Sequence, residues 1–174
     1  VQDQRFSSHF LALLGAAVAT ADTFQARRRL AVFIGEVAGD ETSYFDDAMD
    51  ALGVPADQRD AVPDSWPTAG FKKIFIEAAD GRDYAAIIAV LTVTEWLYQD
   101  WASRAPERRP ASFVHADWIG FHDYPGFLSI VDFLRSELDR VGPGSLDAAR
   151  DFFSRTVALE KGFFDVSYSE PLSL

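Results

Sequence analysis

Residues 89–102 read AVLTVTEWLYQDWA, and their periodicity decides the fold class. Apolar and aromatic side chains recur at spacings of three and four, which predicts an amphipathic helix, at Val90, Val93, Leu97 and Trp101. Thr94 and Tyr98 are four residues apart and share one face of that helix, while Glu95 projects about 100° further round. A carboxylate among such neighbours either faces solvent or is buried with a raised pKa, and the buried arrangement suits a general acid or base.

The rest of the chain shows helical periodicity as well. No segment alternates cleanly with period two, and no Asn-Gly or Asp-Gly hairpin joins two strand-like runs. We predict an all-α bundle of seven or eight helices that forms a single domain over residues 1–174. The predicted helices cover residues 1–21, 24–37, 41–52, 67–79, 84–103, 112–121, 127–141 and 145–167.

Polar residues and glycines predict where these helices begin and end. Thr23, Asp83 and Ser145 are the expected N-caps, and Gly53 is the expected C-cap. The pair Gly39-Asp40 is expected to break or kink the helical run that contains it. Residues 54–68 hold three prolines among polar residues and are predicted to form a surface loop.

Composition and charge exclude several classes of partner. The 27 acidic and 16 basic residues give a net charge of −11, which disfavours nucleic-acid binding because that binding needs clustered Lys and Arg. The chain contains no run of 18 apolar residues, so the sequence predicts no membrane span. The first residues, VQDQRF, lack the pattern of a signal peptide, so we expect a soluble, cytoplasmic protein.

The residue types present do not favour a metal site or cysteine-based chemistry. The chain contains no cysteine, which excludes disulfides, thiolate zinc sites and a cysteine nucleophile. Its three histidines form no ligand-spaced set, and no Glu has a His three residues further on, the pattern of di-iron bundles. We predict neither a metal nor a cofactor. The 15 Phe, four Trp and five Tyr residues either fill a core or line a pocket for a flat small molecule.

Five short motifs occur in an order that resembles the TenA/THI-4 (thiaminase II) family of the haem-oxygenase-like all-α fold. Written as the family's patterns, they are Q-D-x-x-Y, P-x-x-x-Y, C-x-W-x-Y, W-I-x-x-Y and E-x-x-F-W-D. Their counterparts here are Gln2-Asp3 with Phe6, residues 67–71, Thr94 with Trp96-Leu97-Tyr98, Trp118-Ile119 with His122, and Leu159-Glu160 with Phe163-Phe164-Asp165. The resemblance covers nearly the whole chain, although family members usually carry a further helix before the Q-D motif, so this chain looks short at its N-terminus.

The resemblance implies an antiparallel bundle with a central pocket, assembled as a homo-oligomer (a dimer or a tetramer). It also implies hydrolysis of thiamin or of its breakdown products, which releases a hydroxymethylpyrimidine. The aminopyrimidine would be held by Asp3, and Glu160 would act as the acid/base. Further substrate-binding residues implied by the resemblance are Phe6, Phe71, Thr94, Tyr98, His122 and Phe163.

The departures from the family pattern change the expected chemistry. Thr94 stands where the family has its nucleophilic cysteine, and a threonine hydroxyl without an activating base is a poor nucleophile. Phe6, Phe71 and His122 stand at positions of pocket tyrosines. The chain therefore looks like the cysteine-lacking branch, which acts on a degraded pyrimidine, and Glu95 is our candidate for the replacing acid. One carboxylate would activate water while the other protonates the leaving amine.

Each of these residues also has a structural interpretation. Asp3 could serve only the dipole of the first helix, and Glu160 could belong to a surface charge cluster with Lys161 and Arg155. Tyr98 and Phe163 could be core residues, and His122 a polar group at a helix end. Three hypotheses follow: a hydrolase of a thiamin-derived aminopyrimidine, a diverged binding protein without catalysis, and an oxygenase or haem-binding relative, for which no histidine fits a ligand pattern.

Overall fold

Seven helices of nine residues or more account for most of the chain in the computed structural model, which describes residues 1–169 except for the side chains of residues 40–42. In chain order the helices are α1 (Gln4–Thr20), α2 (Phe24–Ala51), α3 (Ala56–Arg59), α4 (Trp66–Gly81), α5 (Tyr84–Ser103), α6 (Phe113–Phe121), α7 (Pro125–Val141) and α8 (Leu146–Ser169). A 3₁₀ turn at Gly142–Ser145 leads into α8. Residues 1–169 contain no strand, which confirms the all-α prediction.

Helix α5 lies at the centre of the bundle. Every residue from 85 to 95 is buried, so the first half of α5 is covered on all sides and is not amphipathic as predicted, because neighbouring helices pack around it. It packs against α1, α4, α7 and α8. Glu95 is one of the buried residues, with 9% of its surface exposed. The solvent-facing interpretation of Glu95 is therefore wrong.

Two of the predicted N-caps hold the starts of their helices. The Thr23 hydroxyl accepts a hydrogen bond from the Ala26 N–H at 3.1 Å, and the Asp83 carboxylate accepts from the Ala85 N–H at 2.9 Å. Gly53 has a φ of +68°, the left-handed conformation expected just beyond the end of a helix. The sequence signals at these three helix ends are confirmed.

Three local predictions differ from the structure. Helix α2 continues through Gly39, because a glycine inside a helix costs only about 1 kcal/mol and the packing on both sides of it outweighs that cost. Ser145 is not a separate N-cap for α8: it lies in the 3₁₀ turn, and its hydroxyl donates to the Asp83 carboxylate, which ties the starts of α5 and α8 together. The predicted loop of residues 54–68 contains the single-turn helix α3 and the start of α4.

Two glycines allow α4 and α8 to approach closely. A Cβ atom on Gly162 of α8 would collide with the indole ring of Trp66, and one on Gly70 of α4 would collide with the side chain of Leu159. The approach brings the middle of α8 into the bundle, where Glu160 is only 4% exposed. No helix in residues 1–169 combines the length and the apolar character needed to span a membrane.

Candidate active site

Asp3 is positioned by its sequence neighbours. The Gln2 side chain donates to the Pro63 carbonyl and accepts from the Ser65 N–H, both at 3.0 Å, which fixes the start of α1 beside the start of α4. Asp3 precedes α1, but its side chain makes no capping hydrogen bond to that helix. Its carboxylate instead lines an interior cavity. The interpretation that Asp3 serves only the helix end therefore does not account for its position.

The cavity, which we call the chamber, has a volume of about 60 Å³. This is room for several water molecules, each of which needs about 10–15 Å³ on a comparable measure. Side chains from α1, α2, α4, α5, α6 and α8 line it, together with Asp3 and His122. The lining residues are Asp3, Phe6, Ser7, Phe10, Phe45, Phe71, Phe75, Thr94, Glu95, Tyr98, Trp118, His122 and Glu160.

Three carboxyl groups meet in this chamber, from residues that lie more than 60 positions apart in sequence. Burial raises the pKa of Asp3 to about 7. Burial also raises the pKa of Glu160 well above its ordinary value, and the negative charges of Asp3 and Glu95 raise it further. Glu160 Oε2 is buried and has no hydrogen-bond partner among residues 1–169. Glu160 therefore keeps its proton to a higher pH than an exposed glutamate does, and its Oε2 has no partner among the described residues.

Thr94 orients Glu95. The Thr94 hydroxyl oxygen lies 3.2 Å from Glu95 Oε1, and it lies 3.1 and 3.4 Å from the Leu91 and Val90 carbonyl oxygens of its own helix. Its single hydrogen is shared among these acceptors, one of which is the Glu95 carboxylate. This contact holds the Glu95 carboxyl group at the wall of the chamber.

Aromatic rings form the remaining walls of the chamber. The ring centroids of Phe6 and Phe71 are 5.1 Å apart, and those of Tyr98 and His122 are 4.9 Å apart. Phe163 does not line the chamber; it packs behind Phe6 and Phe71, with ring centroids 5.8 and 6.2 Å away. Rings at these separations present both faces and edges to the interior, an arrangement that suits a flat ligand.

His122 is a neutral histidine with a defined orientation. Its Nδ1 lies 2.7 Å from the Trp118 carbonyl oxygen and donates to it, which leaves Nε2 as an acceptor in the neutral ring. Burial lowers the pKa of His122 to about 4. It also follows directly after α6, so it is both the polar group at a helix end and a lining residue.

The structure brings together all of the site residues proposed from sequence except Phe163. The proposed surface cluster around Glu160 does not form: Lys161 pairs with Asp165, and Arg155 pairs with Glu77 and Asp151. Sequence reasoning missed Ser7, Phe10, Phe45, Phe75 and Trp118 as lining residues. Ser7 and Phe10 follow Asp3 at helical spacing, as Phe75 follows Phe71, so periodicity could have found them. Phe45 carries no local signal.

The described residues offer no metal centre. Among the side chains that the structure describes, no group of three or more His, Asp and Glu residues is placed to hold a metal ion. The three carboxyls of the chamber are accompanied by aromatic rings, a hydroxyl and a neutral imidazole. This set can bind an N–H-rich heterocycle through hydrogen bonds and stacking, and it can transfer protons to and from it.

Comparisons with known proteins agree with this architecture. The model of the TENA/THI-4/PQQC family matches residues 1–170 of the chain. The chain is also similar to a crystal structure described as a TenA family transcription regulator from Silicibacter sp. TM1040, with 18% sequence identity and a TM-score of 0.80. That match covers 97% of this chain and 79% of the other, and at this identity it shows the fold alone. No curated protein matches the sequence significantly.

Proposed function

The chain belongs to the TENA/THI-4/PQQC family, which supports a thiamin-related role, and on that premise we propose that it hydrolyses a thiamin-derived aminopyrimidine. The reaction proposed is the cleavage of a C–N bond by water that carboxylates activate, without a cysteine nucleophile. The observation that carries the proposal is the meeting of Asp3, Glu95 and Glu160 in one ring-lined chamber.

Asp3 anchors the substrate in this proposal. An ionised carboxylate accepts two N–H hydrogen bonds, which matches the exocyclic amine and a protonated ring nitrogen of an aminopyrimidine. The flat heterocycle lies among Phe6, Phe71 and Tyr98, whose rings provide apolar faces. Since the pKa of Asp3 is about 7, the carboxyl carries its charge above that pH and gains it more readily when a cationic ring is bound.

Glu95 and Glu160 divide the proton transfers between them. Glu95 takes a proton from water while the water oxygen attacks the methylene carbon attached to the pyrimidine. The C–N bond breaks, its electron pair stays on nitrogen, and Glu160 donates its proton to the leaving amine. The products are a hydroxymethylpyrimidine and ammonia or an amine. The raised pKa of Glu160 and the Thr94 hydrogen bond to Glu95 support this assignment of acid and base.

Turnover of small pyrimidines tests the proposal. Purified protein is incubated with the aminomethyl- and formylaminomethyl-pyrimidines, and the hydroxymethylpyrimidine and the leaving group, ammonia from the first and formamide from the second, are followed by chromatography. We expect turnover by the native chain and loss of turnover, with binding retained, in Glu160→Gln. A folded protein that turns over none of these compounds would refute the hydrolase.

A second candidate function is a homologous binding protein without catalysis. The observations that favour it are the small volume of the chamber, about 60 Å³, and the absence of a hydroxyl at Phe6 and Phe71. Such a protein would raise its melting temperature with an aminopyrimidine, as linkage requires, yet release no product. Both proposals include assembly of the chain into a dimer or a tetramer. Sedimentation equilibrium measures that assembly directly.

A further inference from the structure

Helix α2 passes from one hydrophobic cluster to another along its length. Its first half packs into the main core of the bundle through Ala26, Leu30, Phe33 and Val37. Its second half packs with α6 into a separate cluster, and the α2 residues there are Tyr44, Phe45, Ala48 and Met49. The Tyr44 hydroxyl donates to the Val114 carbonyl oxygen at 2.5 Å, and the Tyr44 ring stacks on that of Trp118 at 5.4 Å. Residues 44–51 and α6 therefore hold together as a unit, which we call the flap.

The chamber lies where the main core and the flap meet. Phe6 and Phe71 line it on the side of the main core. Phe45 and Trp118 line it on the side of the flap. Its volume of about 60 Å³ is far below the roughly 300 Å³ at which pockets for small ligands begin, so a heterocycle does not fit until one wall moves. Val114 is the one buried residue of α6, whereas α5 is buried over most of its length, so the flap is the wall that moves at the lower cost.

Two glycines lie where α2 changes from one cluster to the other. Gly39 falls between Val37, which belongs to the main core, and Tyr44, which belongs to the flap, and Gly35 precedes it by one turn. Both glycines are exposed, and a Cβ atom on either would meet no atom of the described residues within 4 Å beyond its own stretch of helix. The packing therefore does not require glycine at these positions, although glycine destabilises a helix relative to alanine. Sharp bends in helices occur at such residues.

Two buried polar atoms near these glycines lack partners. Glu36 Oε2 and His9 Nδ1 are buried and have no hydrogen-bond partner among the described residues. Only residues 21–23 join α1 to α2, so the two helices form an antiparallel hairpin in which His9 lies level with the middle of α2. A buried polar atom without a partner costs free energy, and water that reaches it removes part of that cost. Opening is therefore less costly here than in a fully satisfied part of the core.

We propose that α2 bends at Gly35 and Gly39 and carries the flap away from the main core, which opens the chamber to a ligand. In the closed state the straight helix holds Phe45 and Trp118 against the opposite wall and keeps water away from the carboxyl groups. The bent state gives the chamber the room that the closed state lacks. The hinge depends only on the packing of α2 and α6; that the admitted ligand is an aminopyrimidine rests on the proposed function.

Thiol labelling measures this opening without a ligand. Because the chain contains no cysteine, Thr94→Cys places a single thiol in the chamber, at a position that is 7% exposed. A methanethiosulfonate reagent then reacts with that thiol when the chamber opens. Gly35→Ala and Gly39→Ala, each made in this background, should slow the labelling about fivefold, because alanine favours the straight helix over the bent one.

Gly15→Ala is the matched control for the two hinge substitutions. Gly15 lies inside α1, is exposed and has the same open space around it. All three alanine variants should raise the free energy of unfolding in urea by similar amounts, because each replaces an exposed glycine inside a helix. Gly15→Ala should nevertheless leave the labelling rate unchanged, since α1 does not bend when the chamber opens.

Three results would overturn the proposal. Labelling that Gly15→Ala slows as much as the hinge substitutions do would mean that the reagent reaches the thiol by global unfolding. Labelling that neither hinge substitution changes would mean that α2 does not bend, and labelling as fast as in the urea-unfolded chain would mean that the chamber is already open. Circular dichroism checks that Thr94→Cys is folded; if it is not, Ser7→Cys, which also lies in the chamber lining, takes its place. Because labelling needs no pyrimidine, a failure of pyrimidine turnover leaves this test intact, and turnover with unchanged labelling rejects the hinge alone.

Discussion

Carboxyl groups in the chamber and on the outer surface of this protein have opposite environments. On the surface, hydrogen bonds from Arg155 lower the pKa of Glu77, and hydrogen bonds from Lys72 and then Arg5 lower the pKa of Asp64. In the chamber, burial raises the pKa of both Asp3 and Glu160. Glu77 and Asp64 on the surface therefore lose their protons at a lower pH than Asp3 and Glu160 do in the chamber.

The difference comes from where the cations are. No Lys or Arg is among the described residues that line the chamber, whereas Lys72 and Arg155 pair with Asp64 and Glu77 outside it. An acid without a cationic partner keeps its proton to a higher pH, and it can then deliver that proton near neutrality. The burial of Asp3 and Glu160 away from cationic side chains is what makes the chamber chemically distinct from the rest of the molecule.

The largest expected effect comes from the rings that enclose the chamber. Phe71 is 1% exposed, and Phe71→Ala should lower the free energy of unfolding by about 4 kcal/mol through lost burial and the cavity left behind. Phe24→Ala, at a position that is 80% exposed, is the matched surface change and should have almost no effect. Urea unfolding measures both. If the two variants lose similar amounts of unfolding free energy, Phe71 is not a buried residue of the chamber wall.

The next effect is on catalysis and depends on the proposed hydrolysis. Glu95→Gln removes the proposed base and should lower kcat/KM for the aminomethylpyrimidine by about a hundredfold or more. Glu77→Gln changes a paired surface acid in the same way and should leave kcat/KM unchanged. If Glu95→Gln retains the native rate, Glu95 is not the base.

A smaller effect of opposite sign is expected for stability. Glu160→Met removes an unpaired buried carboxyl while keeping a similar volume, and it should raise the free energy of unfolding by about 1–2 kcal/mol near pH 8, while activity is lost. Unfolding by urea measures the change. A less stable variant would show that Glu160 makes a favourable interaction in the native chain.

The pH dependence of stability should also separate the two regions. The folded-state pKa of Asp3 is about 7, above its ordinary 3.8, so the native state binds more protons between those values. The contribution of Asp3 to stability is complete below its unfolded pKa and is lost as the pH rises through about 7. Asp3→Asn should therefore gain stability over the native chain between about pH 5 and pH 8.

Asp64 should show the reverse pH dependence. Its pKa is lowered, so its contribution is present above the unfolded value and is lost as the pH falls through the folded value. Asp64→Asn should be slightly less stable than the native chain at neutral pH, and the difference should disappear in acid. Chemical unfolding at a series of pH values checks both aspartates. Parallel profiles for the two variants would remove the contrast between chamber and surface.

Much of the fold follows from local sequence signals. The spacing of apolar residues predicted α5, and the side chains of Thr23 and Asp83 predicted where α2 and α5 begin. Local signals fail where packing outweighs them: α2 passes through Gly39, and Ser145 bonds to Asp83 instead of starting a helix alone. Such outcomes depend on contacts between distant segments, which local propensity does not contain.

The site was also predictable only in part, because local signals do not contain the contacts between distant segments. Ordered motifs predicted Asp3 and Glu160, the apolar neighbours of Glu95 predicted a buried acid there, and helical spacing placed Thr94 and Tyr98 on one face. Spacing within one helix does not tell which residues of other helices complete a cavity. It therefore missed Phe45, which α2 brings to the chamber, and it placed Phe163 in the lining rather than behind it.

The protonation state of Glu160 tests the central claim most directly. In protein labelled with ¹³C at the glutamate side-chain carboxyls, NMR follows each carboxyl signal as the pH is changed, and Glu160→Gln assigns the signal by its absence. We predict one glutamate that stays protonated well above the ordinary value of 4.5 and whose signal is missing from the variant. If every glutamate titrates near its ordinary value, Glu160 is not a buried, unpaired acid, and the chamber described here does not exist in solution.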